Sequence, residues 1–295
     1  MLQIGVVLAY IFIVLLWSTT PLAIKWSAEG PGFLFGVTAR MTIGAACTLM
    51  ALGLSQQRLI WHSKALQTYC AVALQIYGSM LVVYWAAQFI PSGWISVIFG
   101  LTPLMTALLV ALWLAERSLT KGKVLSYILG IVGLAVMFGS ALQLGREAVM
   151  GICGVLVATF LQSFSAVWVK RIDAKLPALT QVTGGLLLSL PLYLLTWISF
   201  DGHWPTDLPI TSWASIVYLG VIATTIGFAL YYYLLIYLSA TRVALITLIS
   251  PVMALALGHF VNHEPLTVKV LIGSALILLA LVSHEFFDRN NGKAA

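Results

Sequence analysis

TPLMTALLVALWLAERSLT at 102–120 and SPVMALALGHFVNHEPLT at 250–267 decide the fold of this chain. Pro103 aligns with Pro251 and Glu116 with Glu264, each 148 residues apart, and Met105 and Met253 keep the same register. A weaker match, at an offset of 145, joins Trp17-Ser18 and Lys25 to Gln162-Ser163 and Lys170. Leu- and Ala-rich segments resemble one another easily, so the proline and glutamate matches carry most of the weight. The chain reads as two related halves, 1–140 and 149–286, followed by a polar tail at 287–295 expected on the cytoplasmic side.

The surrounding composition says which solvent the halves are built for. The chain is 61% hydrophobic and 8% charged, against about 25% charged in a soluble domain. Fifteen Lys or Arg and nine Asp or Glu are too few to clothe a wet surface. The charge of +6 falls in short clusters between apolar runs, which is a topology signal and not a nucleic-acid footprint. Cys47, Cys70 and Cys153 are far apart and lack metal-ligand spacing, so neither a disulfide nor a metal site is expected. The opening MLQIGVVLAYIFIVLLW has no basic n-region and reads as a retained first helix.

A helix crosses the hydrocarbon core with about 20 apolar residues. Ten runs qualify: roughly 2–24, 33–54, 66–87, 93–114, 123–141, 149–169, 178–200, 213–237, 241–261 and 267–286. They lack two-residue alternation, and lipid cannot satisfy open backbone, so the fold class is an all-α polytopic membrane protein. With the N-terminus in the cytoplasm, eleven basic residues fall inside and three (Lys25, Arg146, Lys269) fall outside. That bias places both termini in the cytoplasm. Five spans per half reverse the second half relative to the first, giving an inverted-topology repeat. Such repeats are a recurring basis of alternating access, with a substrate near the midplane between them.

Within the spans, Arg40 is the one strongly charged side chain well inside an apolar run, about 10 Å deep at helical rise. It is expected either to meet a substrate anion or to snorkel. Buried polar groups need partners, and a filled cavity supplies them. Trp17 and Ser18 in the first span, Gln75, Tyr77, Tyr84 and Trp85 in the third, and Gln162 and Ser163 in the sixth are the candidate substrate contacts. Pro21, Pro103 and Pro251 are expected to bend their helices. Glu116, Glu264 and His259 lie at or near helix ends. They are the titratable groups available for proton coupling. No phosphate-binding loop occurs, and no organic cofactor is implied. His62, His203, His259, His263 and His284 are scattered and form no H-E-x-x-H cluster, which disfavours the rival reading, a membrane enzyme.

LLWSTTPLAIKW at 15–26, Arg40, TPLMTALLVALWLAERSLT and its counterpart at 250–267 resemble the drug/metabolite transporter superfamily, in its EamA-type branch. Trp17, Pro21, Arg40, Pro103 and Glu116 fit its pattern in the first half, and Pro251 and Glu264 in the second. Gln162 departs from it where the first half has Trp17. The resemblance implies a bacterial inner-membrane exporter with a central cavity. Its substrate would be a small metabolite, foremost an amino acid, aromatic ones included. Other metabolites and drugs are the alternative.

Overall fold

The computed structural model describes residues 4–113, 121–244, 246 and 250–291. The described residues contain helices and no strand. Eight helices are long and apolar enough to cross a membrane. They are α1 (Ile4–Ala28), α2 (Phe33–Leu54), α3 (Ser63–Ala86), α4 (Ser92–Trp113), α5 (Lys121–Leu144, apolar over Val124–Gln143), α6 (Arg146–Ile172), α7 (Ala178–Phe200) and α8 (Ile210–Tyr237). Two more elements follow. Helix α9 has a short piece, Ala240–Ala244, and a main piece, Ser250–Asn262. Helix α10, Val268–Asn291, continues through residues assigned to the polar tail from the sequence.

Local chemistry sets the helix starts. Pro91, Pro177 and Pro209 occupy the N-cap positions of α4, α7 and α8, with φ near −55°. A fixed φ and a missing donor suit a helix entrance, where the N–H has no partner to lose. The α1–α2 turn uses Gly30 (φ 93°) and Gly32 (φ 81°), a conformation that side chains resist. Ser212 Oγ ties this turn to the start of α8 by donating to the Glu29 carbonyl at 2.5 Å.

The outer surface is apolar. Leu8, Ile11 and Leu15 on α1, Leu195 and Ile198 on α7, and Leu271 and Ile272 on α10 are all exposed. A soluble protein rarely exposes apolar patches on this scale, whereas a lipid-facing helix must. The protein is a multi-pass membrane protein.

Two features depart from straight spans. Helix α4 breaks at Gly100–Leu101, and Pro103 is the second residue of the helix that resumes at Thr102. Pro103 therefore opens a helical segment, where it costs no hydrogen bond, instead of kinking the middle of one. Pro251 is the second residue of the described stretch Ser250–Asn262 of α9. The other feature is a pair of π-helical segments, Leu74–Ser79 in α3 and Leu219–Gly227 in α8. Their first residues are 145 apart, the offset that also joins Trp17 to Gln162.

Helix pairing follows a pattern. α1 packs on α8 and α9, and α6 packs on α3 and α4. α2 packs on α8, and α7 on α3. The pairs α2–α7, α4–α9 and α5–α10 complete the bundle, with α5 and α10 set to one side.

Candidate functional site

A partly open cavity, about 590 Å³ with the open space at its mouth included, lies between α1, α2, α3, α4, α6, α8 and α9. Much of its wall is apolar: Ile24, Met80, Val83, Ile95, Phe99 and Phe228. Its polar lining is Arg40, Thr20, Ser96, Gln162 and Ser250, with Trp17 and Pro21 beside them. Pro21 removes the N–H that would have bonded the Trp17 carbonyl one turn back.

Arg40 does not snorkel. It is 2% exposed and lines the cavity from α2. Its Nε donates to Thr224 Oγ1, in the π segment of α8, at 2.9 Å. Its Cζ stands 5.9 Å from the centroid of the Tyr84 ring. No carboxylate among the described residues pairs with it, and Nη1 has no hydrogen-bond partner. Close approach of α2 and α8 makes this geometry possible. A Cβ on Gly44 would meet Thr224 Cγ2 at 2.5 Å, and one on Gly220 would meet Ile43 Cγ2 at 2.7 Å.

Among the other expected contacts, Trp17, Pro21 and Gln162 line the cavity with Arg40. Tyr84 is fully buried behind Arg40, where its hydroxyl accepts from Ser27 Oγ at 3.3 Å. Gln75 is buried between α3 and α8, its Oε1 accepting from Tyr232 at 2.6 Å and its Nε2 without a partner. A run of rings links it to the cavity wall. Tyr232 packs edge-on against Tyr231 at 5.1 Å, and Tyr231 packs against Trp17 at 5.4 Å.

Ser18 and Ser163 serve helix packing. Ser18 Oγ donates to the Val14 carbonyl at 2.8 Å and lies 3.6 Å from Met253 Sδ. Ser163 Oγ reaches the Thr102 carbonyl, beside the break in α4, at 3.4 Å. Tyr77 bonds Thr196 of α7 at 2.8 Å, and Trp85 packs on Phe89 at 5.2 Å. Glu116 lies outside the described residues.

Sequence reasoning missed Ile24, Met80, Val83, Ile95, Ser96, Phe99, Ala223, Phe228 and Ser250. Most are apolar residues in apolar spans, with nothing in the sequence to mark them. Ser96 and Ser250 carried a weak signal, as hydroxyls in the same spans as Pro103 and Pro251.

Glu264 organises one end of the bundle. It sits just beyond α9, 8% exposed, and is 3.5 Å from Lys25 Nζ at the end of α1. Ser92 Oγ at the start of α4 donates to Oε2 at 2.9 Å, and Asn262 Nδ2 donates to Oε1 at 2.9 Å. The Gly93 N–H adds a longer bond at 3.4 Å. Trp26 Nε1 donates to Asn262 Oδ1 at 3.0 Å, and His259 Nδ1 lies 3.0 Å from the Glu264 carbonyl. Burial pushes the Glu264 carboxyl up. The Ser92 and Asn262 hydrogen bonds and the Lys25 ammonium outweigh it, and the pKa lies below the ordinary glutamate value. One carboxylate thus fastens α1, α4 and α9 at the end of the bundle where α1 finishes.

Comparison with known proteins agrees with this architecture. An uncharacterized transporter of Archaeoglobus fulgidus is 29% identical over 272 residues, covering 90% of this chain and 93% of the relative. A protein of Escherichia coli named as a probable amino-acid metabolite efflux pump is 28% identical over 206 residues, 66% of this chain and 68% of the relative. A solved crystal structure shares the fold at a TM-score of 0.70 and 21% identity, covering 97% of this chain and 99% of its own. The EamA-like transporter family matches residues 3–139 and again 149–283. The chain belongs to the EamA-like transporter family.

Proposed function

We propose that this protein exports amino acids by alternating access, through a cavity between two inverted five-helix halves. The observation that carries the reading is the buried Arg40 in an otherwise largely apolar cavity built by helices of both halves. A guanidinium with an unpartnered nitrogen suits a carboxylate. Met80, Val83, Phe99, Phe228 and Trp17 suit an apolar or aromatic side chain. The probable efflux function named for the Escherichia coli relative supports the same class.

The inverted repeat draws support from three directions. The family matches twice. The helix pairs recur when each number is shifted by five, α1 with α8 and α9 answering α6 with α3 and α4. The π segments fall in the third helix of each half.

With both termini in the cytoplasm, the Glu264 cluster closes the outer end of the cavity. Substrate then enters from the cytoplasm, and rearrangement at Pro103 and Pro251 exchanges the open side.

Counterflow tests the reading. Proteoliposomes preloaded with unlabelled phenylalanine, and separately with threonine, are given the same amino acid in labelled form. Saturable phenylalanine uptake, weakened by Trp17→Ala and Gln162→Ala, is expected. Folded, inserted protein that exchanges neither amino acid refutes it.

A further inference from the structure

The polar groups of the cavity differ from wall to wall. Arg40, on α2 and held by Thr224 of α8, presents donors, and its Nη1 is unpartnered. Helix α1 presents acceptors. Trp17, Thr20, Pro21 and Ile24 line the cavity at helical spacing, so they share one face. Pro21 has no N–H to give the Trp17 carbonyl, and that oxygen stays open on the same face. Thr20 Oγ1 donates to the Leu16 carbonyl at 2.8 Å, which leaves its lone pairs free to accept. Ser250 of α9 adds to this side. Its Oγ donates to the Ile246 carbonyl at 3.1 Å and lies 3.5 Å from the Val14 carbonyl of α1.

Gln162, on α6, completes the set. It lines the cavity at 4% exposure and has no hydrogen-bond partner among the described residues. A buried amide left unpaired is costly, and a ligand that bonds it removes the cost.

Resting on the carrier reading above, we propose that the Trp17 carbonyl and Gln162 Oε1, with the Thr20 and Ser250 hydroxyl oxygens, form a subsite for the substrate's ammonium. The three N–H donors of an ammonium meet acceptors that the protein itself leaves free. Arg40 takes the carboxylate, which lies between the two cations and attracts both. The carrier therefore selects zwitterions. A 2-oxo acid of the same side chain leaves the acceptor wall unpaired, and the corresponding amine leaves Arg40 unpaired. Pro21 contributes to this selection through the bond it withholds, apart from any bend it causes.

Three outside competitors test the subsite in proteoliposomes loaded with phenylalanine and given labelled phenylalanine: unlabelled phenylalanine, phenylpyruvate and 2-phenylethylamine. Phenylpyruvate lacks the ammonium, and 2-phenylethylamine lacks the carboxylate. Each is expected to need at least about tenfold more than phenylalanine to halve uptake, a factor that one lost charged hydrogen bond supplies. Phenylpyruvate that competes as well as phenylalanine overturns the subsite. Gln162→Leu removes one acceptor, and Pro21→Ala returns an N–H to the Trp17 carbonyl. Each should weaken phenylalanine at least about threefold more than it weakens phenylpyruvate, part of the ammonium's bonding being lost. Equal weakening of both compounds shows a packing role alone and overturns the assignment. Should both variants fail to fold, thermal unfolding of the unaltered protein decides. Phenylalanine should raise the midpoint at a concentration at least about tenfold below that of phenylpyruvate; equal potency overturns the subsite.

The same assay separates the two levels. Folded, inserted protein that exchanges neither phenylalanine nor threonine removes the carrier reading, and the subsite with it. Phenylalanine exchange that phenylpyruvate blocks as well as phenylalanine does keeps the carrier reading and removes the subsite alone.

Discussion

On the proposed orientation, replacing Glu264 by Gln should unfasten the outer end of the cavity. The side chain keeps its size and one carbonyl oxygen. It loses the charge facing Lys25 at 3.5 Å and turns one acceptor toward either Ser92 or Asn262 into a donor. At that distance and an effective dielectric constant of about 20, the gross attraction is about 5 kcal/mol. Lys25 is 28% exposed, so its solvation and the desolvation of the carboxylate cancel most of it. A net loss of about 1–2 kcal/mol remains, equivalent to a five- to thirty-fold shift from closed to open. Ser96 lines the cavity from α4 and can report the shift. Ser96→Cys, in a chain whose Cys47, Cys70 and Cys153 are replaced, would be labelled from outside with a membrane-impermeant maleimide. Labelling at least about fivefold faster with Glu264→Gln is expected; an unchanged or slower rate refutes the fastening role. Protonation should act in the same direction. The carboxyl pKa is depressed in the closed arrangement and returns to its ordinary value, about 4.5, when the cluster opens. The stabilisation of closure is complete above that ordinary value and is lost as pH falls through the depressed one. Labelling relative to a fully exposed reference cysteine at the same pH, which removes the effect of thiol ionisation, should therefore be flat from pH 7 to about 5.5 and accelerate only below about 4.5. A rise centred near neutrality contradicts this assignment.

Other perturbations follow from the same geometry. Thr224→Val removes the acceptor for Arg40 Nε and should raise the half-saturating phenylalanine concentration about three- to tenfold in counterflow, one hydrogen bond to a charged group being at stake. Gly44→Ala places a methyl 2.5 Å from Thr224 Cγ2, so α2 must move away from α8. A loss of about 1–3 kcal/mol in thermal unfolding is expected, together with weaker substrate exchange. Tyr232→Phe deprives buried Gln75 Oε1 of its donor, lowering stability by about 1–3 kcal/mol, while exchange itself survives. Trp17→Ala enlarges the cavity and removes the ring packed on Tyr231. Competition should then shift toward bulkier apolar substrates.

Eight of the ten expected spans are helices long and apolar enough to cross a membrane, because length and hydropathy alone determine what can cross lipid. The reading of two halves rests on Pro103 and Pro251, which keep one register 148 residues apart with Glu116 and Glu264. The cavity was less legible. Lipid is as apolar as the bundle interior, so helices show no contrast between an inward and an outward face. Met80 and Val83 line the cavity, while Leu8 and Ile11 are exposed on the outer surface, and residue type does not tell them apart. Choosing polar residues instead favoured Ser18 and Ser163, whose hydroxyls answer helix carbonyls. Gln75 was equally hard to place. A π segment rewinds α3 around it, and LQIYGS carries no sequence mark of that winding.

The π segments also constrain how this chain can change over generations. A π turn is an α-helix holding one surplus residue, and losing that residue would restore the commoner winding. Deleting one residue within Leu219–Gly227 would leave the flanking turns nearly in phase, because the wide turn absorbs the surplus residue, but it would turn residues inside the segment off their present faces. Thr224 is one of them, and Arg40 would be left without its acceptor. Such a shortening gains hydrogen-bond regularity and loses the hold on Arg40, so lineages that keep that hold must keep the surplus residue.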